Sequence, residues 1–375
     1  MRVIVIGGYG FFGERLCRLL AKIDRVSVCI AGRDARRASA LAAELGATSL
    51  SLDAQSLGLA TLLRTERAEF VIHTGGPFQH QAYHVAQACI AAGAHYVDLA
   101  DARAFVCGIG ALDATARAAG VAIVSGASTL PALSSAVIDA LSSELTRVDA
   151  IRIGVSPANR TERGLATVRA GLSYCGRPIE TWRNGARATT FGWSDLARYT
   201  YPAPVGVRWH AAVDVPDTTL FPVRYAGVRD ISARFGLELP ILQFGMVAFS
   251  ALGRIGLVRD WSRYARPLKW LGDCLIGFGS GNGGMHVEVD GLARDGSAIT
   301  RRWVLVARDN HGPYVPTLAA AALVRQALEP GALRLGASPC VGLLSLAAIE
   351  REARGLGITT ITASLSPSPS PAVRP

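Results

Sequence analysis

Three features of the sequence predict an α/β fold, a doubly wound parallel sheet with an inserted α+β second domain. Short apolar runs alternate with helical periods through the first 125 residues. A glycine-rich turn joins the first apolar run to the first helix. Further on, the period changes to two over Met285–Arg308, which reads as an antiparallel hairpin turning at Arg294–Gly296. Strands that alternate with helices form βαβ units, and near-continuous apolar strands are those of a sheet covered on both faces. Right-handed crossovers then give the doubly wound layout.

Arg2–Ile6 is the first strand, and a helix is expected from about Gly10 to Ile23. Val26–Ala31 follows as a strand and Ala35–Leu45 as a helix ended by Gly46. Ala47–Leu52, Glu69–Thr74, His95–Leu99 and Val121–Ser125 read as further strands, with helices over Gln79–Ala92 and Ile109–Ala119. After Gly126 the expectations are a helix over Pro131–Leu145, a strand over Val148–Val155 and a helix over Gly164–Cys175. Residues 195–270, rich in aromatics, Pro and Arg, carry no clear period. A strongly helical pattern returns from Pro316 and stops at Pro330–Gly331. The tail SLSPSPSPAVRP, from Ser364, has the composition of a disordered segment.

Half of the 375 residues are hydrophobic, enough for sizeable cores in a chain of two-domain length. The formal net charge is +10, and all but two of the 39 basic residues are arginine. These arginines are scattered among acids rather than clustered, which argues against nucleic acid and for anionic groups on a small ligand. Seven cysteines without a CxxC pair suit reduced thiols in the cytoplasm. The opening MRVIVIGGYG does not have the layout of a signal peptide. Leu239–Gly253 is the longest apolar stretch. Its 15 residues fall short of the ~20 a spanning helix needs, so it reads as a buried or interface helix, with shallow membrane contact as the alternative.

Gly8–Gly13 is GxGxxG, placed between a strand and a helix. In this pattern the first glycine allows a tight turn, the second admits a pyrophosphate, and the third lets helix and sheet approach. The helix N-terminus adds free N–H groups and a positive dipole end. Gly7, Gly8, Tyr9, Gly10, Phe11, Phe12 and Gly13 are therefore dinucleotide-binding candidates. The second strand ends Ala31-Gly32-Arg33, where an NAD-selective site would carry Asp or Glu for the ribose 2′-hydroxyl. Arg33 matches a 2′-phosphate instead, so NADP is expected over NAD. Gly32, Asp34 (at the expected helix cap) and Arg37 complete this group, with Arg36 adding charge and Asp53 following the third strand. Past the fourth strand, Gly75, Gly76, Pro77 and Phe78 would line the nicotinamide half of the cofactor.

Asp98 and Asp101 bracket the end of the fifth strand, also at the ligand edge, and are the catalytic candidates, for proton transfer or for orienting a substrate. Asp101 could equally cap a helix. His80 and His84 lie four apart without a second ligand cluster, so no metal site is expected. The Tyr-x-x-x-Lys pair of short-chain dehydrogenases is absent, as are GxSxG, HExxH and GxxxxGK[ST].

The segments GGYGFFG, AGRDARRASALAAELG, VIHTGGPF and CIAAGAHYVD together resemble the saccharopine dehydrogenase-like NAD(P)-binding oxidoreductases. SGASTLPALSSAVID, DNHGPYVPTLAAAAL and LGASPCVGLLSL extend the resemblance. It implies a Rossmann-type NADP-binding domain over residues 1–128 and an inserted α+β domain for substrate or dimerisation over 129–311. It also implies a helical return to the first domain over 312–360, before a disordered tail over 361–375. Family members often carry Gly-Glu shortly after YVD, where this chain has Ala100-Asp101. The function implied is NADP-dependent hydride transfer to or from a C=N or C=O carbon of a small polar metabolite, in a cytoplasmic protein, with a homodimer as the expected assembly. The alternative is a non-catalytic NADP-binding redox sensor or scaffold, with membrane-surface contact through residues 239–253.

Overall fold

The computed structural model describes residues 1–79 and 81–365. The chain folds into two compact units. The first holds Met1–Ala136, Arg163–Ala170 and Pro313–Leu356; among the described residues the second holds Val137–Glu162, Gly171–Gly312 and 357–365.

The first unit opens with β1 (Arg2–Ile6), α1 (Phe11–Leu20), β2 (Ser27–Gly32), α2 (Ala35–Leu45), β3 (Thr48–Ser51) and α3 (Leu59–Thr65). It continues with β4 (Phe70–His73), α4 (His84–Ala92), β5 (His95–Asp98), α5 (Arg103–Gly108), α6 (Asp113–Ala118) and β6 (Ala122–Ser125). The strands pair in parallel in the order β6-β5-β4-β1-β2-β3. Their runs are apolar because both faces are covered: Val3, Ile4, Val5, Ile30, Val71, Ile72 and Ile123 have no exposed surface. Two expected helices are shorter than their pattern. Residues 81–83 stay open because Gln81 Nε2 donates to the carbonyls of Gly75 (2.8 Å) and Pro77 (2.9 Å), so α4 starts at His84. Ile109–Leu112 is a 3-10 turn ahead of α6, and α5 was not anticipated. Gly108 and Gly110 interrupt this stretch, and glycine disfavours a continuous α-helix. The chain leaves through α7 (Ser134–Ser142).

The second unit begins with β7 (Leu145–Ser156), and α8 (Leu165–Ser173) follows in the chain. Then come β8 (Pro178–Arg183), β9 (Ala186–Phe191), β10 (Ala197–Thr200), β11 (Val207–Ala212), α9 (Asp217–Arg224) and β12 (Asp230–Phe235). Helices α10 (Pro240–Arg254) and α11 (Ala265–Cys274) precede the hairpin β13 (Gly283–Ala293) and β14 (Ala298–Ala307). Residues 195–270 thus hold three strands and most of three helices. Their signal was weak because the strands are only four to six residues long and α9 contains Pro222. On one face of this sheet Ile151, Ile153, Val287, Val289 and Trp303 are buried. On the other, an ionic ladder crosses β7, β13 and β14. Arg152 donates to Glu288 (3.0 Å) and to both oxygens of Asp290 (2.5 and 2.7 Å), and Arg302 donates to Glu288 (2.7 Å). Beside the ladder, the buried Tyr201 hydroxyl lies 2.9 Å from His286 Nδ1 and 3.1 Å from His210 Nε2. Burial holds both histidines well below the ordinary imidazole value, so this cluster is neutral.

After the hairpin, α12 (Val315–Ala327) buries a continuous run from Thr317 to Val324 and packs on α1. β15 (Gly336–Pro339) adds to β6 in parallel, making the first sheet seven-stranded, and α13 (Leu346–Glu352) packs on α12. Residues 361–365, expected in the disordered tail, are instead part of β16 (Ile358–Leu365), which pairs with β14. The alternating Ile-Thr pattern of ITTITASL carries this strand, with β-branched residues suited to a pleated surface. The rest of the expected tail, 366–375, lies outside the described residues.

Candidate dinucleotide site

The C-terminal ends of β1, β2, β4 and β5 form the edge at which such sheets bind ligands. Gly7 has φ +79, a conformation open to glycine, and its N–H donates to Ala31 O (2.8 Å). Gly10 N donates to Gly7 O (2.8 Å), closing the turn. A β-carbon on Gly13 would stand 2.1 Å from Gly7 O, so helix and turn can meet only at glycine here. A β-carbon on Gly10 would meet only Gly7 O, at 3.0 Å. Gly10 is the N-cap of α1 and supplies no side-chain cap, so no side chain of its own competes with a ligand for the first-turn N–H groups. Phe11 and Phe12 begin that turn, half-buried, and their rings meet edge to face at 4.9 Å. Gly8 is buried between Val5 O and Ile30.

Tyr9 bridges to the end of β2. Its hydroxyl accepts from the N–H of Asp34 (2.8 Å), and its ring fills the space where a Gly32 side chain would stand. Arg37 donates to Tyr9 O (3.1 Å) and lies 4.9 Å above the Tyr9 ring, so it braces the loop instead of pointing free. Asp34 caps α2 by accepting from Arg37 N (3.1 Å). Arg33 and Arg36 are exposed and make no side-chain hydrogen bond or ion pair among the described residues. Asp53 is exposed, and its Oδ1 accepts from Gln55 N (3.0 Å), forming the turn after β3.

On the other side of β1, Gly75, Gly76 and Pro77 follow β4, with Gly76 exposed and Phe78 buried against His73 and Phe105. Two residues in this segment escaped the candidate set. Thr74 Oγ1 donates toward the carbonyls of Ile6 (3.0 Å) and Gly7 (3.1 Å), tying the β4 loop to the glycine turn. His73 is buried at the end of β4, and burial lowers its imidazole to about 4, so it is neutral. A lone Thr or His at a strand end carries no sequence signal for either role. His84 Nε2 lies 3.0 Å from Ser56 O, whereas His80 is outside the described residues.

Asp98 and Asp101 differ sharply. Asp98 has no exposed surface. Its Oδ1 accepts from Ala100 N (3.0 Å), Ser125 Oγ (3.0 Å) and Gly126 N (2.8 Å), locking the ends of β5 and β6 together. Burial raises its carboxyl to about 6, against the pull of those hydrogen bonds. Asp101 lies three residues on and is exposed.

Residues 3–124 match the model of the saccharopine dehydrogenase NADP-binding domain. Over these residues the chain is similar to the saccharopine dehydrogenase-like, NAD(P)-binding oxidoreductases. The fold of the whole chain is also that of the apo saccharopine dehydrogenase (L-Glu forming) of Saccharomyces cerevisiae. That comparison has a TM-score of 0.67 at 15% identity, over 96% of this chain and 99% of the yeast chain. A second solved relative in fold is the homospermidine synthase of Legionella pneumophila, in complex with NAD. It has a TM-score of 0.62 at 10% identity, over 98% of this chain and 91% of that one. A search of curated protein sequences found no significant match. In this saccharopine dehydrogenase-like chain the glycine turn, the uncapped start of α1 and the exposed arginines after β2 fit an NADP molecule.

Proposed function

We propose that this chain is an NADP-dependent oxidoreductase that moves a hydride between the nicotinamide and a C=N or C=O carbon of a small polar metabolite. One observation carries the reading. Arg33, on the loop that Tyr9 ties to the glycine turn, and Arg36, in the first turn of α2, are exposed and free of protein partners among the described residues. A guanidinium there meets the 2′-phosphate bidentately, while the N-terminus of α1 meets the pyrophosphate. The Thr74–Gly76 segment, held to Gly7 by Thr74, runs along the nicotinamide half. The cofactor supplies the hydride chemistry; the protein binds, orients and excludes water.

In this proposal Asp98 is a positioning residue. Its carboxylate sets the spacing of the β5 and β6 ends and reaches no solvent. Asp101 is the exposed carboxyl of the same edge and the one that exchanges a proton with substrate or water. The seven cysteines are free thiols, in keeping with a cytoplasmic protein, and a homodimer belongs to the same proposal. No helix among the described residues is long and apolar enough to cross a membrane.

Titration of the purified protein with NADPH, followed by a panel of small carbonyl and imine compounds monitored by nicotinamide absorbance, tests the reading. Tight NADPH binding with turnover of at least one compound class is expected. Absence of NADPH binding contradicts it, and tight binding without turnover across the panel favours the non-catalytic alternative.

A further inference from the structure

In the second unit, α10 is built inside out. Its two fully buried side chains are polar, Gln243 and Ser250. Gln243 Oε1 accepts from Leu237 N (2.8 Å), and Ser250 Oγ donates to Gly192 O (2.7 Å). The exposed positions of the helix are 240, 241, 244, 248, 251 and 254, with 255 just past its end. From 241 to 254 they recur every three or four residues and so form one stripe. The stripe is apolar through Ile241, Phe244, Ala248, Ala251 and Ile255, and carries one charge, Arg254, at the end of the helix. A helix on the surface of a soluble domain normally turns this stripe inward.

The next helix repeats the arrangement. On α11, Pro267, Trp270, Leu271 and Cys274 are exposed. Trp261, between the helices, stacks on Phe249 of α10 at 4.4 Å, which joins the two segments. Leu257 and Phe278, in the flanking turns, are 70% and 78% exposed. Contiguous exposed apolar surface of this kind marks an interaction site. The charge names its occupant. Between Pro240 and Ser280 the chain carries Arg254, Arg259, Arg263, Arg266 and Lys269 against only Asp260 and Asp273. Arg259 and Arg266 make no side-chain hydrogen bond or ion pair among the described residues. A second copy of the chain docking face to face would set this excess positive charge against itself. An anionic lipid surface would receive both the apolar stripe and the arginines, whose stems lie along apolar surface while their heads reach phosphate.

We propose that α10 and α11 form a membrane-surface docking element selective for anionic lipid headgroups. The full chain is incubated with vesicles of phosphatidylcholine alone and with vesicles containing about 30 mol % phosphatidylglycerol, then sedimented. Binding about tenfold stronger to the anionic vesicles, weakened by salt, is expected. The variant Ile241→Ser, Phe244→Ser, Ile255→Ser should lose that binding while keeping the wild-type cooperative melting transition. Should it not fold, Arg263→Ser with Arg266→Ser, both at exposed positions, takes its place and should lower anionic binding severalfold. Equally weak binding to both vesicle types overturns the proposal. So does a concentration-dependent dimer in sedimentation velocity that the stripe variant abolishes, which would assign the face to a second copy.

Discussion

The two sheets of this molecule solve the same burial problem in opposite ways. The first is parallel, with strands of four to six residues whose side chains, the edge strand β3 apart, are mostly buried on both faces. Its polar groups collect at one edge, where Gly7, Thr74, Asp98 and Arg33 lie. The second has longer central strands, up to 12 residues, with one apolar face and one face crossed by the Arg152–Glu288–Arg302 ladder. The first arrangement confines chemistry to strand ends and leaves the interior featureless. The second spreads charge over a face and uses it to set register between strands. A change at the first sheet's edge should therefore alter folding or ligand binding steeply, whereas a change in the ladder should cost stability alone.

The largest expected effect is at Gly13. Gly13→Val places a side chain into the backbone at Gly7 O, a clash at or beyond the upper end of the ~1–3 kcal/mol typical of overpacking. Denaturant unfolding should show a strongly destabilised protein. Stability equal to wild type would mean that α1 and the glycine turn can separate freely, and the edge would not be the rigid element described.

The paired residues His73 and Asp98 come next. Asp98 sits near 6 when folded against an ordinary 3.8, so its contribution to stability is full below about pH 4 and is lost as pH rises to 6. His73 sits near 4 against an ordinary 6.5, so its contribution is full above pH 6.5 and is lost as pH falls toward 4. The two oppose each other across the same window, each by on the order of 2–3 kcal/mol. Relative to wild type, His73→Gln should gain stability toward low pH and Asp98→Asn toward neutral pH. Melting temperatures measured between these limits check this; parallel shifts in the two variants would show that neither residue titrates as described.

A smaller loss is expected in the second sheet. Glu288→Gln weakens two charge-assisted hydrogen bonds that are partly screened, for a destabilisation of about 1–2 kcal/mol. Dinucleotide affinity should not move. A fall in NADPH affinity with Glu288→Gln would break the separation between the two regions.

The same contrast explains what could be read from the sequence. Continuous apolar runs such as Val3–Ile6 and Phe70–Ile72 announce parallel strands, and GxGxxG between a strand and a helix announces its ligand. The long strands around Val287 and Trp303 were also visible, because period-two alternation extends far enough to be seen. By contrast, β10, β11 and β12 are short, and arginines occur along each of them. β10 and β11 form a hairpin, but β12 pairs with β7, some 80 residues earlier in the chain, and that pairing has no local signal. At the site, glycines and arginines were legible because their chemistry is intrinsic. The roles of Asp98 and Thr74 were not, since each depends on hydrogen bonds to groups 27 to 68 residues away. The inverted stripe of α10 was hidden for the same reason: apolar content shows in the sequence, but which face meets solvent does not.

The central claim is that the first sheet's edge holds NADP, with the glycine turn on the pyrophosphate and Arg33 on the 2′-phosphate. Isothermal titration of NADPH and NADH into wild type, Gly10→Val and Arg33→Asp tests it most directly. The account predicts a preference for NADPH in wild type and loss of binding in a folded Gly10→Val. In Arg33→Asp the NADPH-to-NADH preference should fall by roughly 10- to 100-fold, the value of one charge-assisted contact. Wild-type NADPH affinity and selectivity in both variants would contradict it.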